Sequence, residues 1–432
     1  MYKFFCFFAL LLIGSCMDKF IIPADIENQT DNNLNAGDTS FVQVNPVWRN
    51  GYGFVKPIEI SIAQDGRIFI VDSASSSIHV LNQDGERPVG FEALSNLTDE
   101  ASLLINPTDV DIDKKMNVYF IDGSERVFVW NQYWNEIGIK NVSISGVFTH
   151  IETQADTFVQ YGTNLWFSLL NSNEWAAKEI NREENQGIID SLINPHIFYD
   201  GSDEMNRYLD NFYNSELSTF SGLTTTYNSD NHIFVADNYG EVENQHRIIE
   251  INFQRSMLLE LNNNEFVWAF RGQFGSTVKG FGTGAGTVNK PLSLDMDYQG
   301  NLYYTQEGDF FSVHMIKPNL SGDFATYTSG FQPSSDDIMS GELFKKPVDI
   351  SLDNNRNIYV VDKEEMSITV FNSNGKYFKK AGLVGDSLSM LSNPVAVAID
   401  DRGVLYVCND GDSSIYRFKL SNSLDEDLKP ED

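Results

Sequence analysis

The chain has 432 residues and a formal net charge of −31, with 61 Asp and Glu against 30 Lys and Arg. That length exceeds one ordinary compact core and calls for several domains or a repeat array. The acidic excess repels phosphate backbones and so excludes nucleic-acid binding as the expected function, while 41% hydrophobic residues exclude wholesale disorder.

The chain opens with Lys3 and an almost wholly apolar run from Phe4 to Ile13, too short to span a bilayer and of the length of a signal-peptide core. Leu12-Ile13-Gly14-Ser15-Cys16 follows, and it resembles the bacterial lipobox. The resemblance implies cleavage before Cys16 and a lipid on its thiol, giving an exported, envelope-anchored protein whose membrane contact is that lipid. The expected organisation is a signal peptide at 1–16, a polar tether at 17–45, a folded region at 46–420 and an acidic tail at 421–432. With Cys6 removed and Cys16 acylated, Cys408 alone remains, so no intrachain disulfide is expected. Cys408 lies in a strand pattern and reads as a small core residue.

From residue 57 onward one phrase recurs. A proline opens an alternating strand, turn residues follow, and an aromatic-rich strand ends in Asp. It runs from Pro57 to Asp72, Pro107 to Asp122 and Pro347 to Asp362. Variants run from Gly222 to Asp237, Pro291 to Gln306 and Pro394 to Asn409. Ile58, Ile60 and Ile62 alternate with polar or small residues, the period of a strand, and Asp65-Gly66 is hairpin chemistry. A third strand follows each phrase, as in Ser77–Leu81. Neighbouring prolines at 57 and 107, or 347 and 394, stand roughly fifty residues apart, room for four short strands, the content of one propeller blade. A weaker unit near Phe148 makes the number six or seven.

These residues resemble the NHL-repeat β-propellers, with Gln245-His246-Arg247-Ile248 closest to the tripeptide that names the repeat. The expected fold is therefore an all-β propeller of six or seven four-stranded blades. The last unit shows three strands, so Ser40–Val44 is expected to supply its fourth and close the ring. Residues 173–217 break the alternation. Met205, Tyr208, Leu209, Phe212 and Tyr213 recur there at helical spacing after Ser202 as N-cap, which predicts a small helical insertion.

Asp72, Asp122, Asp237 and Asp362 recur in unit after unit, so they read as turn caps. Function is expected where the units differ. Glu59, Asp109 and Asp349 lie two residues after their prolines on the strand that lines a propeller's channel, where other units carry Ser293, Thr224 and Ala396. Such a partial acidic ring suits an amine or a hard cation such as calcium. Among the propellers the chain resembles are amidating lyases with three-His zinc sites and streptogramin lyases with paired His and an acid. The candidates here for zinc are His79 and His314, at equivalent third-strand positions. No nucleophile elbow or phosphate loop is present in the sequence, and no cofactor is expected by motif. The expected function is a scaffold binding a peptide, glycan or protein; the alternative is a lyase or lactonase working at the channel mouth.

Overall fold

The computed structural model describes residues 40–421, except 89–92, 96, 99–102, 132–144, 161–164, 166–167, 170–171, 180–195, 212–216, 227–231, 243, 261–265, 309, 320–325 and 385–387. Residues 1–39, which include the stretch read as a signal peptide, Cys16 and most of the expected tether, and the tail from 422 lie outside the described residues.

The protein is a β-propeller, and its ring has six blades. Their first strands are Pro57–Ile62, Asp109–Ile112, Phe220–Thr225, Pro291–Met296, Pro347–Leu352 and Pro394–Ile399. Each lies beside the first strands of two other blades, in the cyclic order one to six and back to one. Blades two to six are four-stranded; blade one has three described strands, Pro57–Ile62, Ile68–Asp72 and Ser77–Leu81. All pairings within the blades are antiparallel, as expected of hairpin-linked meanders.

An apolar core fills each of the six junctions. Between blades one and two it contains Phe69, Val71 and Val80 against Val118, Phe120 and Trp130; between six and one, Ile68 and Ile70 against Tyr406 and Cys408. The second and third strands are buried along most of their length, which is why the aromatic phrase is apolar on both faces. Cys408 is such a core residue, opposite Ala396 in the sheet.

Phe41–Trp48 pairs antiparallel with Ser414–Leu420 as the outer strand of blade six. The ring is thus closed by the N-terminal strand, which begins within the stretch assigned to the tether. Trp48 is fully buried in the core between blades six and one.

The weak unit near Phe148 is not a blade. Ser145–His150 is the middle strand of a separate three-stranded sheet with Asp156–Gln160 and Trp175–Glu179. This sheet is inserted between the third strand of blade two, Arg126–Asn131, and its outer strand, His196–Asp200. Its own small core joins Phe148, Val159 and Leu169, with Trp175 packed against them.

Among the described residues of 173–217 there are therefore two strands and one short helix, α1 (Glu204–Leu209). Asp203, not Ser202, caps α1, accepting the Met205 N–H at 2.9 Å. Ser202 is otherwise occupied, with its N–H and hydroxyl both donated to Asp200. Asn206 docks the helix on blade three by accepting the Phe274 N–H. Phe212 and Tyr213 lie outside the described residues.

The repeated phrase has a plain geometric basis. Pro57 stands opposite Asp72 in the sheet, and Pro347 opposite Asp362, so each phrase is one hairpin read end to end. Asp72 accepts the N–H groups of Val55, Lys56 and Ser75; Asp362 accepts those of Lys345, Lys346, Glu364 and Glu365. The closing carboxylate holds the segment that leads into its blade as well as the following turn. Asn409 and Gln306 do the same with amide oxygens toward Ser392, Asn393 and Asn289.

Candidate functional site

The six first strands surround a cavity of about 650 Å³ whose lining includes Glu59, Asp109, Asp111, Asp295 and Asp349. Its rim is made by the hairpins between first and second strands, where Asp297, Asp353 and Asp400 lie. These rim carboxylates are turn devices: Asp297 accepts the N–H groups of Gln299 and Asn301, and Asp353 those of Asn355 and Asn357. Lys114 is the one cationic side chain among the described lining residues.

The structure brings Glu59, Asp109 and Asp349 together, as their common strand position requires. Asp109 and Asp349 belong to blades two and five, which face each other across the ring. The equivalent position in blade three is Gly222, not Thr224. Phe220 stands opposite Asp237 as Pro57 stands opposite Asp72, so this blade begins two residues earlier than a glycine at the proline's place would imply. Gly222 is needed there because a Cβ would lie 2.5 Å from the Leu292 carbonyl oxygen and 3.0 Å from Ser293 Cα. The first strands of blades three and four touch backbone to backbone.

Asp111 and Asp295 also reach the site. They lie two residues beyond the position of Asp109, on the same face of the strand, and strand alternation was the available signal for them.

Most of these carboxylates clasp one blade to the next. Asp109 accepts the N–H of Leu223 in blade three at 2.6 Å and of its own neighbour Val110 at 2.6 Å. Asp111 accepts the Thr225 N–H at 2.7 Å, the Ile112 N–H at 2.8 Å and the Ser61 hydroxyl at 2.9 Å. Asp295 links blade four to five through the Leu352 N–H at 2.7 Å and also accepts that of Met296 at 2.6 Å. Asp349 links five to six through the Val397 N–H at 2.7 Å and takes the Ser293 hydroxyl at 2.6 Å. First strands of neighbouring blades are not paired in a sheet, so inward N–H groups need other acceptors, and these side chains supply them.

Glu59 differs. One oxygen accepts the Ile60 N–H at 2.9 Å, and the other has no hydrogen-bond partner among the described residues. Burial pushes its carboxyl well above the ordinary range, and the charges of Asp349, Asp109 and Asp111 push it further. Burial likewise raises Asp109 and Asp295 against the backbone N–H groups that favour their ionised forms. Asp349 is raised by burial to about 6, with the Ser293, Val397 and Ile350 hydrogen bonds opposing. The site thus offers fixed carboxylate acceptors and one carboxyl with an unused oxygen.

His79 and His314 occupy equivalent places, opposite Ile70 and Tyr304 in their sheets, but they do not converge. They belong to third strands of blades one and four, on opposite sides of the ring, and neither lines the cavity. His79 is buried with Nε2 3.5 Å from Asp72 and its ring edge-on to Phe54. His314 stacks on Tyr304 at 4.9 Å and accepts the Gly286 N–H at Nδ1, which leaves its proton on Nε2 toward the Phe311 carbonyl. Burial lowers it to about 4, so it is a neutral packing residue. Among the described residues no group of three His, Cys, Asp or Glu is arranged to hold a metal ion. In the acidic ring, four of the five carboxylates have both oxygens hydrogen-bonded to the ring itself.

No protein-family model and no curated protein matches the chain. Solved structures to which it is similar include a protein of unknown function from Bacteroides thetaiotaomicron, at 11% identity and a TM-score of 0.49, covering 89% of this chain and 76% of that one. Another is an auxiliary nutrient binding protein from the same organism, at 7% identity and a TM-score of 0.46, with coverage of 89% and 76%. A third is a gluconolactonase from Xanthomonas campestris, at 10% identity and a TM-score of 0.45, with coverage of 89% and 98%.

Proposed function

We propose that this chain is an exported, lipid-anchored propeller of NHL type that binds a cationic ligand in its central cavity, the amine of a peptide, an amino sugar or a protein side chain. The observation that carries this reading is the ring of Glu59, Asp109, Asp111, Asp295 and Asp349 around one cavity whose described lining has Lys114 as its one cation. An ammonium group entering such a cavity replaces carboxylate repulsion with attraction, and low-dielectric walls strengthen that exchange. Glu59, with its unused oxygen, is the residue assigned to meet it.

The experiment is calorimetric titration of the soluble domain with glucosamine and lysine-rich peptides, against their N-acetylated counterparts. Binding of the free amines alone is expected, with at least about tenfold loss in Glu59→Gln, as for one charge-assisted bond. Equal binding of the acetylated compounds would remove the cation reading.

A lyase or lactonase activity is the second reading, and one observation favours it. A carboxyl held above its ordinary range by burial, as Glu59 is, suits general acid–base chemistry near neutral pH. Turnover of a lactone panel, abolished in Glu59→Gln, is its test.

A further inference from the structure

The inner-ring clasps differ in what faces their oxygens. Asp109 faces two backbone N–H groups, of Val110 and Leu223, and Asp295 faces those of Met296 and Leu352. A backbone N–H can only donate, so a proton added to either carboxyl weakens the bond to the oxygen that takes it and gains no acceptor from these partners. Asp349 faces the Val397 N–H on Oδ2 and also feels that of its own neighbour Ile350, but its Oδ1 bonds the Ser293 hydroxyl, a partner neither of the other two has. A hydroxyl donates or accepts, and Ser293 lines the cavity, so its hydrogen has room to turn away.

We infer that Asp349 and Ser293 form a reversible clasp, through which the cavity takes up one proton while the ring stays closed. On acidification the bond changes direction, from Ser293 Oγ–H donating to Oδ1 into Oδ1–H donating to Oγ. The Val397 N–H remains on Oδ2, and blades five and six stay joined. No bond between blades is lost, and the cavity becomes less anionic by one charge.

The surroundings favour this uptake. Glu59 from blade one, Asp109 from blade two and Asp295 from blade four all feel the Asp349 charge, as does the buried Cys408 thiol of blade six. Beside Asp349 in blade six, Ala396 and Val397 carry no titratable group. Burial holds the Asp349 carboxyl at about 6, inside the mildly acidic range. If the cavity takes a cation, which rests on the reading above, its affinity falls as this proton arrives.

Two ligand-free measurements test the clasp, so failure of the cation reading leaves them untouched. The first is thermal unfolding of two asparagine variants. In Asp349→Asn the amide oxygen can keep Val397 and the amide N–H can reach Ser293 Oγ, so the melting temperature is expected within about 2 °C of wild type. In Asp109→Asn the amide N–H must face a backbone N–H, and a drop of about 5 °C or more, or failure to fold, is expected. The second is infrared difference spectroscopy between about pH 7.5 and about pH 5, bracketing ordinary titration in this range. A protonated-carboxyl stretch is expected in wild type, with one component lost in Asp349→Asn and shifted in Ser293→Ala. Equal destabilisation by the two asparagine variants would overturn the clasp. So would a carboxyl stretch unchanged in Asp349→Asn, or one that Ser293→Ala leaves in place.

Discussion

The guanidinium of Arg247 grips Asp210 as a fork, Nη1 to Oδ1 at 2.9 Å and Nη2 to Oδ2 at 2.8 Å, with all participants buried. Its Nε also reaches Asp237 at 2.8 Å, so two carboxylates surround one cation. Asp210 terminates α1, and this network ties the inserted helix to blade three. Arg247→Ala removes the cation that compensates two buried carboxylates, and about 3–5 kcal/mol of stability should be lost. Urea unfolding of the variant checks this; a loss below about 1 kcal/mol, the level of an exposed pair, would contradict it.

Asp72 predicts an acid limb. Burial pushes its carboxyl up, but the neighbouring His79 and the N–H groups of Val55 and Lys56 outweigh it and hold the value at about 2, below the ordinary 3.8. A depressed carboxylate stabilises the fold fully above its unfolded value, and the contribution fades as pH falls toward the folded one. Its size is on the order of 2 kcal/mol. Wild type should therefore lose stability between about pH 4 and about pH 2, and Asp72→Asn should flatten that slope. The fold itself should survive the substitution, because Asn409 does the same work in blade six. Parallel pH-dependent melts decide; identical slopes would exclude Asp72 as a source.

Gly222→Ala should be among the most damaging single methyl additions. The new Cβ meets backbone of blade four, which cannot turn aside as a side chain tip can. A cost of about 1–3 kcal/mol is expected, as for overpacking. Gly284→Ala is the control, since nothing lies within 4 Å of its Cβ and its φ is not in the left-handed region. It should change stability by less than about 0.5 kcal/mol.

Trp48 predicts how the ring closes. It ends the N-terminal strand, packs against Tyr406 and Tyr52 at 5.6 and 5.7 Å, and lies 4.7 Å below the Arg417 guanidinium. Trp48→Ala should cost about 3–5 kcal/mol and be felt by blades six and one together. Hydrogen exchange is the check, with lost protection expected in Leu405–Asn409 and Ile68–Asp72 before other blades.

The blade phrase was legible because its length is fixed locally, by a proline and an Asp that end the same hairpin. Blade number was not. Ser145–His150 alternates like any half-buried strand, and alternation reports burial on one face without saying which sheet provides it. Glu59, Asp109 and Asp349 were legible as a set because they share a register position. Their partners were not, since Asp109 bonds to Leu223, far along the chain, through backbone that any residue carries. His79 and His314 illustrate the converse: equivalence along the repeat was correct, and equivalence in a ring of six is what keeps them apart.

Ser40 and Ser421 are hydrogen-bonded neighbours at the two ends of the described chain. The folded region is therefore nearly a circle cut at one point, with the cut made inside a blade. A short linker joining 421 to 40, with new ends opened at the exposed hairpin of Asn354 and Asn355, would leave every described strand with its present partner. Such a permutant would move both ends of the folded region from the paired third and outer strands of blade six to the rim of the cavity.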